Sequence, residues 1–375
     1  MDTILVTGAA GFVGRHLLEA LKERYPGARL CLLDHPTSGI CGAGRLLETR
    51  GPEVHVAADL SCAGDLSVAM DGLVREAGAP DAVFHLAGQA AVGRSFLAPS
   101  STYEANVVGT ARLLEALVDY SVTARVLIPS SAQVYGAPVA RHSADDAGEV
   151  LVLLDETAPI GPSSHYGASK FAQEEVGRLF YETTGLPVFI TRAFNHLGPG
   201  QSTGFVLPDF ARQIAMAERE AAAAKEEAAS EGNHGDSAVA AAHGTTAAVA
   251  APAAAASIRV GNLGARRDYL DVRDVVDAYL TVIEAGEPGR AYNVASGRAW
   301  SARELLDMLV ADARVPIEVV VDDRLLRPVD VPVLAGDASR MRALGWEPRH
   351  GVEEAVRDTL EYWRRMTGAR VGREG

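Results

Sequence analysis

Five short apolar runs punctuate the first 131 positions: ILVTG at 4–8, LCLLD at 30–34, VHVAADL at 54–60, AVFHLAG at 82–88 and RVLIPSS at 125–131. Stretches with helical character, His16 to Arg24, Asp65 to Ala77, Tyr103 to Tyr120 and Ser169 to Thr184, lie between or after them. A strand that is apolar at successive positions must bury both faces, and strands separated by helices pair in parallel. The pattern predicts an α/β fold, a doubly wound parallel sheet covered on both sides. Beyond about residue 193 the rhythm loosens into short apolar segments, prolines and charged turns. That change predicts a smaller C-terminal lobe over the carboxyl edge of the sheet, where open α/β sheets bind ligands.

A chain of 375 residues is long for one ordinary domain, and its 48 % hydrophobic and 22 % charged composition is that of a folded globule. The reading divides it into residues 1–193, carrying the sheet, and a lobe at 194–375, with a return segment near 268–285 packing on the first part. Residues 217–256 are nearly half alanine. Their first part, EREAAAAKEEAAS, favours helix, while GNHGDS and later Thr, Gly and Pro residues break it, which predicts a flexible surface insertion.

A net charge of −14 excludes a phosphate-backbone binder, which needs clustered Lys and Arg, so no nucleic-acid partner is expected. Three cysteines (Cys31, Cys41, Cys62) make no disulfide framework, no cluster has metal-ligand spacing, and the expected home is a reducing cytoplasm with no metal. Residues 1–7 read as a buried strand rather than a signal peptide, and no run reads as a membrane span.

The stretch Thr7-Gly8-Ala9-Ala10-Gly11-Phe12-Val13-Gly14 follows the first strand and opens the first helix. Glycines there permit the tight turn and the approach of backbone to a pyrophosphate, which helix N-terminal amides then face. The second strand ends at Asp34, twenty residues after Gly14, where a carboxylate accepts both ribose hydroxyls of an adenosine and repels an added phosphate. NAD(H) is therefore favoured, with NADP(H) as the alternative and His35 the one neighbour able to soften the preference. Asp59-Leu60, ending the third strand, is expected at the adenine, with a strand-ending turn as its alternative role. Ala87-Gly88 supply small residues where the cofactor crosses the sheet edge.

Tyr166 and Lys170 lie four residues apart in Tyr-Gly-Ala-Ser-Lys, on one face of a helix. A phenol becomes a useful acid or base near neutral pH when a cation stabilises its phenolate, and the same lysine can hold the nicotinamide ribose. Ser130-Ser131 end a strand at the carboxyl edge, Ser131 being placed to hold a substrate oxygen beside Tyr166.

Together TGAAGFVG, HLAGQAAVG, EANVVGT, SSAQVYG and YGASK resemble the extended short-chain dehydrogenase/reductases in order and approximate spacing, over nearly the whole chain outside the alanine-rich segment. The resemblance implies a Rossmann sheet with a substrate-binding lobe and a catalytic set of Ser131, Tyr166 and Lys170. It implies cofactor contacts from Thr7, Gly8, Gly11, Phe12, Val13, Gly14, Asp34, Asp59, Leu60, Leu86, Ala87, Gly88 and Asn106, besides Tyr166 and Lys170. It also implies a homodimer through the helices near 103–120 and 169–184, and a nucleotide-sugar substrate met by Val92, Arg94, Ser131 and Gln133.

FNHLGPGQ at 194–201 is similar to family members that handle GDP-6-deoxyhexoses, which puts Asn195 at the diphosphate. Arg267 and Arg327 resemble the phosphate-gripping arginines, with Asp330 at the nucleoside ribose. Arg192 would join them in a positive pocket, although each arginine has an alternative role as an ion-pair partner. Dehydratases of the family place an acid just after the catalytic Ser or Thr, where this chain has Ala132 and Gln133. The balance favours a reductase that delivers hydride from NAD(P)H to the C4 ketone of a GDP-4-dehydro-6-deoxyhexose, as in forming GDP-rhamnose. A nucleotide-sugar 4-epimerase is the runner-up, ahead of a GDP-mannose 4,6-dehydratase and a catalytically silent NAD(H) sensor.

Overall fold

The computed structural model describes residues 1–38, 47–120, 122–136, 153–232, 255–325 and 332–368. Its strands are β1 (Thr3–Thr7), β2 (Arg29–Asp34), β3 (Leu47–Arg50), β4 (Glu53–Ala57), β5 (Ala82–His85), β6 (Arg125–Ser131), β7 (Val188–Ala193), β8 (Asn195–Leu197), β9 (Ala256–Val260), β10 (Arg266–Asp271), β11 (Ala291–Val294), β12 (Ala299–Ser301), β13 (Ile317–Val321) and β14 (Val333–Leu334). Its helices are α1 (Phe12–Arg24), α2 (Ala63–Ala77), α3 (Val92–Leu97), α4 (Pro99–Tyr103), α5 (Gly109–Asp119), α6 (His165–Thr184), α7 (Val206–Gly232), α8 (Val272–Ala285), α9 (Ala302–Ala311), α10 (Ser339–Ala343) and α11 (Val352–Gly368).

The five apolar runs form β1, β2, β4, β5 and β6 of an eight-stranded sheet ordered β11-β7-β6-β5-β1-β2-β4-β3. Its pairs are parallel except β3 with β4. Alternate side chains explain why the runs are apolar throughout. Ile4 and Val6 join the core beneath α1 and α8, while Leu5 between them joins the core beneath α2 and α5. Each such fully buried side chain contributes about 1.5–3 kcal/mol. The sequence reading lacked β3, β7 and β11. The edge strand β3 carries Glu48 and Arg50, joined at 2.8 Å, and its Leu47 packs on the second core near Gly72 of α2.

The expected helix from Tyr103 to Tyr120 is divided. Between α4 and α5 the backbone takes one π turn at Glu104–Val108, a widening that often marks functional positions.

Described residues within 1–198, 265–300 and 329–352 form one compact unit, and those within 199–264, 301–328 and 353–375 a second. The chain thus re-enters the first unit twice, where the sequence reading has a single return near 268–285 and one lobe from 194 on. The reason is strand pairing: β10 aligns with β8, and β11 extends the main sheet beside β7.

In the second unit β9 and β13 pair in parallel and α7 packs on α9 and β9. The expected insertion at 217–256 narrows here, because Ala217 and Glu218 are buried within α7 and Ala256 opens β9. Glu218 accepts hydrogen bonds from Arg364 Nε at 2.7 Å and Nη2 at 2.6 Å, and from the Arg314 N–H at 2.9 Å. Positions 233–254 lie outside the described residues. Among the described residues no helix is long and apolar enough to cross a membrane.

Candidate active site

Four neighbouring strands, β6, β5, β1 and β2, end side by side and carry the polar residues of the site on their carboxyl ends. After β1 the chain turns at Gly8, whose φ of +73° is left-handed and whose added Cβ would lie 2.7 Å from the Ala87 nitrogen. Glycine alone lets this loop rest against the segment after β5. Helix α1 starts at the loop with no side-chain cap, so its first amides are open to an anionic ligand. This cradle fits a dinucleotide pyrophosphate.

Asp34 ends β2 with its carboxylate accepting the Ala10 N–H at 3.1 Å. Burial pushes its carboxyl up to about 6, against the pull of the Ala10 and Ala9 amides, which leaves it ionised at neutral pH. Asp59 serves its local turn: one carboxylate oxygen accepts from the Ser61 N–H at 2.8 Å and hydroxyl at 2.7 Å, and the other lies 3.7 Å from His35. The Ser61 hydroxyl is the main reason its carboxyl is held below the usual range. Leu60 beside it is buried in the core.

Helix α6 begins one residue before Tyr166, capped by Ser164, whose hydroxyl accepts the Gly167 N–H at 3.0 Å. A Cβ on Gly167 would lie 2.6 Å from the Gln133 carbonyl oxygen, so the first turn of α6 presses on the turn that follows Ser131. This approach sets the first turn of α6, with the buried Tyr166, against the end of β6, where Ser131 is also buried. Burial raises the phenol pKa and the nearby Ser131 hydroxyl lowers it, with burial prevailing, so the phenol keeps its proton at neutral pH. Lys170, one turn on, donates to the Pro129 carbonyl and to Gln173 Oε1, each at 2.8 Å. Burial pushes its ammonium down to about 8, opposed by Glu174. Ser131 at the end of β6 and Tyr166 and Lys170 in the first turns of α6, the residues expected to be catalytic, thus lie on two elements packed against each other.

Thr7 and Asn106 are fully buried and hold the site together from behind. The Thr7 hydroxyl meets His85 Nδ1 at 2.8 Å and accepts the Ala87 N–H at 3.1 Å. Asn106, in the π turn, accepts the Gln89 N–H at 2.8 Å and donates to the Gln89 carbonyl at 3.1 Å and Ser169 Oγ at 2.9 Å. It thereby clamps the segment after β5, including Leu86, Ala87 and Gly88, to the catalytic helix.

Arg192 is corrected. Its guanidinium is buried 2.8 Å from Glu174 and also donates to the Tyr135 hydroxyl and the Glu156 carbonyl, so it belongs to the packing of β7 on α6 and not to a positive pocket. A buried cation with a buried carboxylate is already neutralised.

Val92 opens α3, on which Arg94 is exposed, and Gln133 is half-buried in a 3-10 turn with its N–H on Ser131 Oγ at 3.2 Å. Asn195 lies opposite Tyr269 in register, and Arg267 opposite Leu334, its guanidinium donating to the Arg266 carbonyl at 2.8 Å. Arg327 and Asp330 lie outside the described residues. The Phe12 ring of the glycine loop stacks on His196, with centroids 6.1 Å apart, which sets Asn195 next to the loop. Sequence reasoning missed this contact, and it missed His85, Thr110 and Gln173. The one readable hint was strand register, which pairs Thr7 with His85. Among the described residues no group of three or more His, Cys, Asp or Glu is placed to hold a metal ion.

The profile of the NAD dependent epimerase/dehydratase family matches residues 4–295. GDP-6-deoxy-D-mannose reductase of Pseudomonas aeruginosa is 31 % identical over 96 % of this chain and 96 % of its own length. UDP-glucose 4-epimerase of Azospirillum brasilense is 29 % identical, covering 99 % of this chain and 94 % of that one. Among solved structures, RMD from Pseudomonas aeruginosa complexed with NADPH superimposes with a TM-score of 0.72 at 30 % identity, over 98 % of this chain and 100 % of that one.

Proposed function

Because this chain belongs to the NAD dependent epimerase/dehydratase family, and so to enzymes that use a nicotinamide cofactor on sugar nucleotides, we propose that it reduces the C4 ketone of a GDP-4-dehydro-6-deoxyhexose. The observation that carries this reading lies at the end of β6, where Ser131, near Tyr166, is followed by a buried Ala132 and by the amide of Gln133. Removing water from a sugar needs an acid and a base at the departing oxygen and proton, and neither residue can exchange a proton. Reduction needs only one proton donor. The full-length likeness to a GDP-6-deoxy-D-mannose reductase supports the choice of reaction and of guanine nucleotide.

The cofactor, when bound, supplies hydride to the carbonyl carbon. Tyr166 gives its proton to the carbonyl oxygen as that oxygen becomes a hydroxyl, and Ser131 holds the oxygen in place. A phenol that keeps its proton at neutral pH is the form this direction requires. Lys170 holds the nicotinamide ribose and its positive charge eases the departure of the phenol proton. Val92, Arg94 and Gln133 line the sugar side, Asn195, Arg267 and Arg327 grip the diphosphate, and Asp330 meets the nucleoside ribose. Asp34 takes the adenosine ribose, and its charge favours NADH over NADPH. Exposed Val108 just before α5, Val118 in α5 and Leu179 in α6 support a homodimer through these helices.

The test is incubation of purified enzyme with NADH or NADPH and a panel of 4-keto-6-deoxy nucleotide sugars, following cofactor oxidation. Stoichiometric oxidation with the GDP-linked ketosugar, a higher kcat/KM for NADH, and a margin that shrinks or inverts in Asp34→Ala are expected. Sugar turnover without net cofactor oxidation would instead establish the 4-epimerase, which uses the same Ser, Tyr and Lys.

A further inference from the structure

Behind Lys170 runs a chain of polar side chains, all buried, in which each proton has one place to go. The Thr110 hydroxyl donates its single proton to the Asn106 carbonyl at 2.7 Å, so its oxygen must accept from its other two neighbours. These are Gln173 Nε2 and His85 Nε2, each at 2.8 Å. His85 is therefore the neutral tautomer with its proton on Nε2, and its Nδ1 accepts from Thr7, whose oxygen is free to take the Ala87 N–H. Burial pushes the imidazole down to about 3, with the Lys170 charge adding to the effect.

The same bookkeeping fixes Gln173. With its amide nitrogen committed to Thr110, its oxygen faces the Lys170 ammonium. Rotating the amide by half a turn would set N–H groups against an ammonium and leave two oxygens facing each other with no proton between them. The charged and titratable groups around Lys170 are Glu174 on the same helix, already paired with Arg192, the neutral His85 from β5, and Tyr166 one turn earlier.

We infer that Gln173 is a positioning residue: its carbonyl, locked by Thr110 and His85, holds the Lys170 ammonium against Pro129 and leaves one ammonium N–H for the cofactor. This rests on the reading of Lys170 as the lysine that holds the nicotinamide ribose. Removing the carbonyl takes an acceptor from the charged form, which favours the neutral amine. A carboxylate in its place favours the ammonium, with the Thr110 hydroxyl turning its proton from the Asn106 carbonyl to the new oxygen.

The chain has three lysines, Lys22, Lys170 and Lys225, so protein carrying 13C at lysine Cε gives three resolvable signals, and Lys170→Met identifies one. In Gln173→Leu the Lys170 signal should titrate about one pH unit lower than in wild type, and in Gln173→Glu about one unit higher. NADH affinity, read by fluorescence, should fall about tenfold in Gln173→Leu, the cost of one hydrogen bond to a charged group, and recover in Gln173→Glu. Thr110→Val should move the lysine titration downward and Thr110→Ser should not, which keeps the test available if Gln173→Leu fails to fold. A Lys170 midpoint unchanged across folded Gln173 and Thr110 variants would overturn the proposal. These readouts need no sugar substrate, so failure of the reductase reading leaves them intact, and unaltered NADH affinity in Lys170→Met would fault the role of the lysine instead.

Discussion

Lys170 in the first unit and Arg364 in the second both have side chains largely withdrawn from solvent, the lysine the more deeply buried, yet they are held differently. Lys170 rests on two uncharged oxygens, those of Pro129 and Gln173. Arg364 lies among the carboxylates of Glu218, Asp312 and Glu361. The cost of burial is only partly compensated at the lysine, which is pushed down to about 8, whereas the arginine is driven further toward its charged form by the Glu218 hydrogen bond above all. A cation kept close to its titration point remains responsive to a ligand, and one surrounded by carboxylates serves as a fastening. Arg192 beside Glu174 shows that the first unit contains fastenings too.

The largest expected effect breaks the responsive region without loosening it. Tyr166→Phe should lower kcat by about 10²- to 10⁴-fold while leaving urea unfolding and NADH affinity unchanged, because only the proton donor is lost. Turnover within a few-fold of wild type would remove Tyr166 from the reaction. The converse applies to the fastening: Arg364→Met strands buried Glu218 and should cost about 3 kcal/mol in urea unfolding, with kcat per folded molecule preserved. Smallest is the effect of replacing 233–254 by a short Gly/Ser connector, expected to change stability by less than about 0.5 kcal/mol. Extending the replacement to 217–256 deletes Glu218 and should lose as much as Arg364→Met, which thermal unfolding of the two chains would separate.

Local patterns made much of the first unit legible. The glycine loop, the five apolar strands and the spacing of Tyr166 and Lys170 each act over a few residues, and the structure brings Ser131 to the same phenol. What escaped depends on partners distant in sequence. Gln173 meets Thr110 across 63 residues, and Thr7 meets His85 across 78, contacts that periodicity cannot encode. Arg192 read as a candidate anion-binding residue because its motif sits beside FNHLGPGQ, while the Glu174 that neutralises it lies on the preceding helix. The strands β7 and β11 were overlooked for a related reason: VFITRA and AYNV carry polar residues whose burial depends on tertiary partners, as with Arg192 and with Asn293 bonded to Tyr135.

The edge strand β3 bears on how crowded molecules behave. An eight-stranded sheet ending in a long apolar strand would offer its bare backbone as a template for a second sheet and grow sideways into ribbons. Here the terminal strand is only four residues long, runs antiparallel to its neighbour, and carries the Glu48–Arg50 ion pair. A copy approaching edge-on would find few backbone groups to pair with and two charges to strip of water, an exchange that favours separate molecules. This end of the sheet is thus a poor template for edge-to-edge pairing.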